Sequence, residues 1–178
     1  MYKTLKNNWA LFTGFAILAT AHGFQGNLLG VRAVIEEFNY LAVGALFSGY
    51  FLGYFVGAFY CPKLINSVGH IRTFSAFASL ASLSALIHVT FVNPYVWIFG
   101  RFLTCFSMIA IFIVTESWLN DRATNRNRGQ ILSLYMIITY VAFATGNLLL
   151  NVSSPTKYEP FILISVLFSI ALVPILLA

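Results

Sequence analysis

The chain has 178 residues, of which 60% are hydrophobic and only 8% are charged. A soluble domain typically carries about 25% charged residues, so ten basic and five acidic side chains are too few to cover a soluble globule of this length. This composition excludes a soluble enzyme, a disordered chain and a free nucleic-acid-binding protein. The net charge of +5 instead fits the excess of basic residues that membrane proteins carry in their cytoplasmic loops.

Six apolar segments follow one another along the chain, each about 20 residues long, which is the length of a helix that crosses a membrane. Backbone polar groups in lipid must pair within their own segment, so we predict six helices. Pro62 marks the predicted end of the second segment, whereas Asn93-Pro94 and Pro160 suit the starts of the fourth and sixth. We therefore expect an all-α, multi-pass protein of the inner or plasma membrane, with one six-helix transmembrane domain over residues 1–178. The predicted segments are 9–30, 40–61, 73–92, 95–118, 131–152 and 160–178.

The distribution of Lys and Arg predicts that both termini are cytoplasmic. With the N-terminus inside, seven basic residues fall in inner segments and two in outer segments, while Arg101 lies within a span. The alternative for the first segment is a secretory signal peptide cleaved near Ala19-Thr20-Ala21, but the apolar run continues past that site to Leu29. The inner basic residues are Lys3, Lys6, Lys63, Arg72, Arg122, Arg126 and Arg128, and the outer ones are Arg32 and Lys157.

Other classes of membrane protein find little support in the sequence. Cys61 and Cys105 lie in or beside apolar segments and behave as small hydrophobic residues, so no disulfide framework, metal site or cofactor is predicted. An intramembrane protease needs a Gly-x-Ser-Gly nucleophile, and Ser48-Gly49 lacks the first glycine. A channel is disfavoured because the sequence has no arginine-rich sensor and no filter-like loop. We therefore do not expect an enzyme.

Polar residues inside the apolar segments are the candidate binding residues, because polar groups in lipid are costly. At about 1.5 Å per residue, His22, Gln25, Arg101 and Asn147 fall at a similar depth, and we expect them to line a water-filled cavity for a small solute. The alternatives are interhelical hydrogen bonds or snorkelling of Arg101 to the surface. No acid lies near Arg101 in its segment, so water, neutral amides or an anionic solute group must satisfy the guanidinium. His88 is expected at the membrane interface.

Two further patterns concern helix packing and the cytoplasmic connections. Gly49, Gly53 and Gly57 repeat every four residues on one helix face, which favours close approach of a second helix. Glu116 is expected at the inner interface, at the level of Arg72 and Arg128, where the three could form a charged cluster. A solvated basic loop is the alternative reading. Gly69 permits a left-handed turn in the connection between the second and third segments.

These residues resemble the major facilitator superfamily, and most closely its YcaD-like branch. The resemblance covers residues 9–178 and matches the N-terminal six-helix half of a twelve-helix transporter. The segment from Glu116 to Gly129 is its most specific part. The whole resemblance rests on three sets of motifs: Gly49-Tyr50-Phe51-Leu52-Gly53 through Gly57, Gly69-His70-Ile71-Arg72, and Glu116-Ser117 with Arg126-Asn127-Arg128-Gly129 and Tyr135-Met136.

The resemblance implies a secondary transporter that moves a small solute by alternating access. It also implies that Arg72, Glu116 and Arg128, with Gly69, form a network that stabilises a cytoplasmic gate. The sequence departs from the family pattern where Cys105 replaces a glycine four residues after Arg101, and where the first cytoplasmic loop lacks its usual acidic residue. The expected partners are membrane lipid, the solute, and a second six-helix half or a second copy in a homodimer, with no nucleic acid. A truncated or split fragment without transport of its own is the alternative.

The basic-residue bias predicts the side of the membrane on which the chain ends. A reporter fused after Ala178 should give a cytoplasmic signal, because seven of the nine basic residues outside the spans would then lie inside. An external signal would mean that the number of spans is wrong or that the first segment is cleaved.

Overall fold

The described chain is helical almost throughout, and no β-strand occurs among the residues that the structure describes. A computed structural model describes residues 2–152 and 154–177, with side chains from residue 8 onward, so Ala178 and the side chains of Lys3 and Lys6 lie outside it. The predicted all-α class is confirmed. The elements are α1 (Tyr2–Ile35), α2 (Tyr40–Val68), α3 (His70–Thr90), α4 (Pro94–Asp121), α5 (Arg128–Leu148), a 3-10 turn (Leu149–Asn151), α6 (Glu159–Ile170) and α7 (Leu172–Leu176).

Local sequence signals explain where several helices begin and end. The side chains of Asn39 and Asn93 cap α2 and α4 by accepting hydrogen bonds from first-turn amides, and Pro94 occupies the first turn of α4. Gly69 separates α2 from α3 with a φ of 84°, a conformation that residues with a side chain rarely adopt. The prediction that the second helix ends at Pro62 is wrong, because α2 passes through this proline to Val68.

Helix packing divides the bundle into two groups of three. In one group α4 packs between α2 and α3, and in the other α1 packs between α5 and α6. α4 and α1 therefore occupy equivalent central positions, as expected if α1–α3 and α4–α6 are two structural repeats of the kind found in many transporters. The two groups meet mainly where α3 packs against α6.

Contacts at glycine positions show the relative directions of two pairs of helices. Successive glycines of α2 meet successive residues further along α4, so these two helices run parallel. Gly14, near the start of α1, meets Ala171 and Ile175 near the end of the chain. The beginning of α1 and the end of α7 therefore lie at the same end of the bundle. Which side of a membrane this end faces stays a prediction.

Five helices of the described chain have the length and apolar character needed to cross a membrane. They are Tyr40–Val68, His70–Thr90, Pro94–Asp121, Arg128–Asn151 and Glu159–Leu176. The last of these includes a break at Ala171, three residues before Pro174. Because proline has no amide hydrogen, Pro174 cannot donate the backbone hydrogen bond that would continue the helix. α1 is 34 residues long but carries His22, Gln25 and Asn27 among its apolar residues. That α1 also crosses the membrane, as the sixth span, therefore stays a prediction.

Hydroxyl groups form hydrogen bonds between helices, both across the two groups and within one of them. The Ser82 hydroxyl of α3 lies 2.8 Å from the Ser165 hydroxyl and 3.0 Å from the Ser169 hydroxyl, both on α6. Ser84 pairs with Thr104 of α4 at 2.9 Å. Since hydrocarbon offers these groups no other partner, such bonds hold transmembrane helices together.

The glycine ridge of α2 sets how closely it approaches α4. A Cβ placed on Gly49 would lie 3.0 Å from the carbonyl oxygen of Ile98, and one placed on Gly53 would collide with the carbonyl oxygen of Phe102. A Cβ on Gly57 would collide with the side chain of Ile109. Each of these glycines thus leaves room for the α4 backbone or side chains, and any larger residue must push α2 outward.

We predict that Gly53→Ala lowers the stability of the purified protein by about 1–3 kcal/mol, the usual effect of overpacking a tight interface. Gly44→Ala is the matched control, because Gly44 lies on the same helix and a Cβ there meets no atom within 4 Å. Thermal unfolding in detergent measures both variants. Equal midpoints for the two variants would contradict the close packing of α2 on α4.

Candidate solute-binding site

Tyr50 links two of the polar residues that the sequence places in the membrane. Its hydroxyl lies 3.1 Å from Nε2 of His22, and the two rings are nearly parallel with centroids 6.0 Å apart. The guanidinium carbon of Arg101 lies 4.7 Å from the centroid of the same Tyr50 ring. The Cys105 thiol lies near the same hydroxyl. One tyrosine therefore contacts a histidine and an arginine and lies near a cysteine.

Three helices bring this cluster together. His22 comes from α1, Tyr50 from α2 and Arg101 from α4, and the close packing of α2 on α4 places the Tyr50 ring against the guanidinium. His22 also packs against Phe143 of α5, with ring centroids 5.9 Å apart. The α1 backbone approaches Phe143 at Gly23, where a Cβ would lie 3.0 Å from the Phe143 carbonyl oxygen. Small residues in α1 and α2 thus make the polar contacts possible.

Several buried polar atoms of this region have no hydrogen-bond partner among the described residues. They are Nδ1 of His22, both amide atoms of Gln25, and Nη1 of Arg101. The side chain of Gln25 is fully buried, whereas His22 and Arg101 keep 8% and 7% of their surface exposed. Buried donors and acceptors are normally satisfied by protein or water. These atoms therefore represent hydrogen-bonding capacity that the described contacts of the cluster leave unused.

The structure does not place Asn147 in this cluster. Asn147 is exposed and accepts a hydrogen bond from the Asn27 side chain, which also bonds the carbonyl oxygen of Gly23. Asn27 is likewise exposed. The two amides form an open polar patch between α1 and α5. Of the four predicted cavity residues, the contacts join His22 and Arg101 through Tyr50, while Gln25 lies one turn from His22 on the same face of α1.

His88 lies in the protein interior, so the prediction that places it at the membrane interface is wrong. It is fully buried. Its Nδ1 bonds the carbonyl oxygen of Ser84 at 2.5 Å, and its ring packs on Gly100 and edge-on to Trp97. Gly100 has no side chain, and this gap admits the imidazole ring. The space that holds the His88 ring is created by Gly100 of α4. The hydropathy pattern of α3 alone therefore does not predict that His88 is buried.

Of the predicted gate residues, Glu116 lies near the end of α4 that is far from Arg101, while Arg72 and Arg128 lie at the starts of α3 and α5. Glu116 is exposed and lies near the Tyr135 hydroxyl of α5. Two ion pairs among the described residues join Arg32 to Glu36 at 2.6 Å and, when His70 is protonated, His70 to Asp121 at 3.6 Å, and neither includes Glu116.

The connection between α2 and α3 is instead attached to α4 through His70. Nε2 of His70 lies 3.1 Å from the Ser117 hydroxyl, and its ring packs near Trp118. The neighbouring Arg122 lies over the same Trp118 ring, with 5.2 Å between the guanidinium carbon and the ring centroid. The cluster of Arg72, Glu116 and Arg128 stays a prediction.

Comparison with known proteins identifies the family. The sequence profile of the Major Facilitator Superfamily matches residues 11–178. The chain belongs to the major facilitator superfamily. An MFS-type transporter of Yersinia enterocolitica is 32% identical over 136 residues, which cover 76% of the chain and 36% of that relative. The MFS-type transporter YcaD of Shigella flexneri is 29% identical over 143 residues, which cover 79% of the chain and 37% of YcaD.

This superfamily member therefore matches little more than a third of the length of these relatives. No solved structure matches the chain. The family assignment and the five long apolar helices together establish a membrane protein of a transporter family.

We predict that Tyr50→Phe destabilises the protein by roughly 0.5–2 kcal/mol, because it removes the hydroxyl that contacts His22 but keeps the ring beneath Arg101. Tyr60→Phe is the control, since Tyr60 lies on the same helix and is 57% exposed; its effect should stay within about 0.5 kcal/mol. Thermal unfolding in detergent provides the comparison. An unchanged midpoint for Tyr50→Phe would show that the hydroxyl contacts contribute nothing.

Proposed function

We propose that this chain is part of a secondary transporter that moves a small solute across the cell membrane by alternating access. The observation that carries the proposal is the buried cluster of His22, Tyr50 and Arg101, with Gln25 one turn away, in a protein of a transporter family. Secondary transporters bind substrate near the middle of the membrane, between their repeats. Polar groups from three helices at one level, with unpaired donors and acceptors, have the character of such a site.

In this proposal all six helices cross the membrane and both termini are cytoplasmic. α1 then runs outward with its polar residues facing protein, which is where ionisable and amide side chains occur in transmembrane helices. Its packing along α5 and α6 supports this placement. The seven-to-two distribution of basic residues supports the orientation.

A second six-helix half, or a second copy of the chain, would complete the pathway. The chain matches only 36% of the Yersinia relative, and alternating access requires two halves that move about a shared site. The exposed amides of Asn27 and Asn147 lie between α1 and α5, next to the cluster, and would face the partner across the aqueous cavity. The membrane-facing surface contacts lipid.

We predict that a single cysteine at position 101 reacts with a membrane-impermeant thiol reagent added from outside, in a background free of Cys61 and Cys105. A cavity that admits solute must also admit water and the reagent. A cysteine at position 27 tests the same cavity with Arg101 intact, because Asn27 is exposed beside the cluster.

Two control positions calibrate this labelling. A cysteine at Lys157, in the predicted outer loop, should react fully, and one at Leu83, on the exposed apolar face of α3, should stay unlabelled because that face contacts lipid. If positions 101 and 27 remain as unreactive as position 83, Arg101 is a packing residue and the proposed cavity does not exist.

We also predict that Glu116→Gln weakens closure of the cytoplasmic side, if Glu116 pairs with Arg72 and Arg128 when that side is shut. The removed charge would release the arginines, and a cysteine at Ser117 should then become more reactive in the assembled transporter. The control is Glu159→Gln, because Glu159 lies at the other end of the bundle. Unchanged reactivity at Ser117 would leave these residues as topogenic charges.

A further inference from the structure

We infer that the cluster around Tyr50 binds a small hydroxycarboxylate: a carboxylate that carries a neutral hydroxyl donor beside it. This inference rests on the proposed function and names the class of solute. The buried atoms without partners define it, since they are the groups that a bound solute must satisfy.

The charge of the site calls for an anion. The whole chain contains five acidic residues, Glu36, Glu37, Glu116, Asp121 and Glu159. Every one lies outside the helices or close to a helix end, so none can pair with Arg101 at the level of Tyr50. The ring of Tyr50 attracts the guanidinium through its face but accepts no hydrogen bond from Nη1. A carboxylate would supply both the charge and the acceptor.

Gln25 adds a second donor and also an acceptor. Its Nε2 can donate to the carboxylate, and its Oε1 needs a donor in return, because neither atom has a partner in the described part of the chain. A hydroxyl next to the carboxylate meets this need without adding charge. An ammonium group would bring a positive charge into a site that already holds Arg101 and has no carboxylate to balance it.

His22 supplies a third hydrogen-bond donor through its contact with Tyr50. When the Tyr50 hydroxyl donates to Nε2 of His22, the proton of the neutral ring lies on Nδ1. Nδ1 is buried and has no partner among the described side chains, so it becomes a third donor for the anion. Tyr50 is thus a positioning residue, because it orients both His22 and Arg101.

Binding to the purified protein, measured by thermal stabilisation and calorimetry, tests this inference. The probes are glycolate, lactate and mandelate, which increase in size, each compared with its neutral amide and with the acid that lacks the hydroxyl. At least one hydroxycarboxylate should bind roughly ten- to a hundredfold more tightly than its amide, the usual effect of a hydrogen bond to a charged group. It should also bind more tightly than its deoxy acid and than the zwitterion alanine.

Two variants assign the preferences to residues. Arg101→Gln should abolish the preference for the acid over the amide. Gln25→Met, which keeps the side-chain volume, should abolish the preference for the hydroxyl and weaken, without abolishing, the preference for the acid. Lys157→Gln is the control, since it removes an exposed cation of the outer loop, and it should bind like the unmodified protein.

The possible failures can be told apart. If no hydroxycarboxylate binds better than its amide while cysteines at positions 101 and 27 are labelled, the inference is wrong and the transport proposal stands. Tighter binding of alanine, or a preference that survives in Arg101→Gln, also overturns the inference. If the cysteines stay unlabelled, both proposals fail.

Discussion

Arg101 carries a buried positive charge that no carboxylate of this chain is placed to neutralise. An arginine at the centre of a membrane helix costs about 2.5–3.5 kcal/mol on insertion scales, so the protein must stabilise the guanidinium by other means. The structure does so with the face of Tyr50, at a distance of 4.7 Å. A desolvated cation–π contact is worth about 2 kcal/mol, which is comparable to the cost. The remaining hydrogen-bonding capacity of Arg101 is the basis of the proposed preference for an anion.

This contact depends on backbone packing elsewhere in the bundle. Tyr50 follows Gly49 directly, and the approach of α2 to α4 at Gly49, Gly53 and Gly57 holds the ring against Arg101. On the other side, Gly23 lets α1 approach α5 beside His22. The glycines are therefore structural residues whose effect on function is indirect. They determine how close the three polar side chains can come.

The sequence was sufficient to predict the class of fold and the family, because long apolar segments and the motifs around Gly49 and Glu116 are local patterns. It also identified His22, Gln25 and Arg101 as unusual residues in a membrane. It did not predict that Tyr50 belongs to the polar cluster, because a tyrosine in an apolar segment is unremarkable until a neighbouring helix brings a cation to its ring.

The errors differ in origin. The buried position of His88 depends on Gly100 of another helix, whereas α2 continues through Pro62 to Val68 although proline lacks the amide hydrogen that a helix interior uses. The residue pattern of one segment does not show which residues of other segments it contacts. The pairing of His70 with Ser117 and Asp121 was likewise missed, although His70 was visible in the loop motif.

A double-mutant cycle between Tyr50→Leu and Arg101→Met, followed by unfolding in detergent, tests the central claim most directly. If the Tyr50 ring stabilises the buried guanidinium, the two substitutions should be coupled by about 1–2 kcal/mol, in line with a desolvated cation–π contact. Effects that add to within about 0.3–0.5 kcal/mol, as for independent sites, would contradict the account.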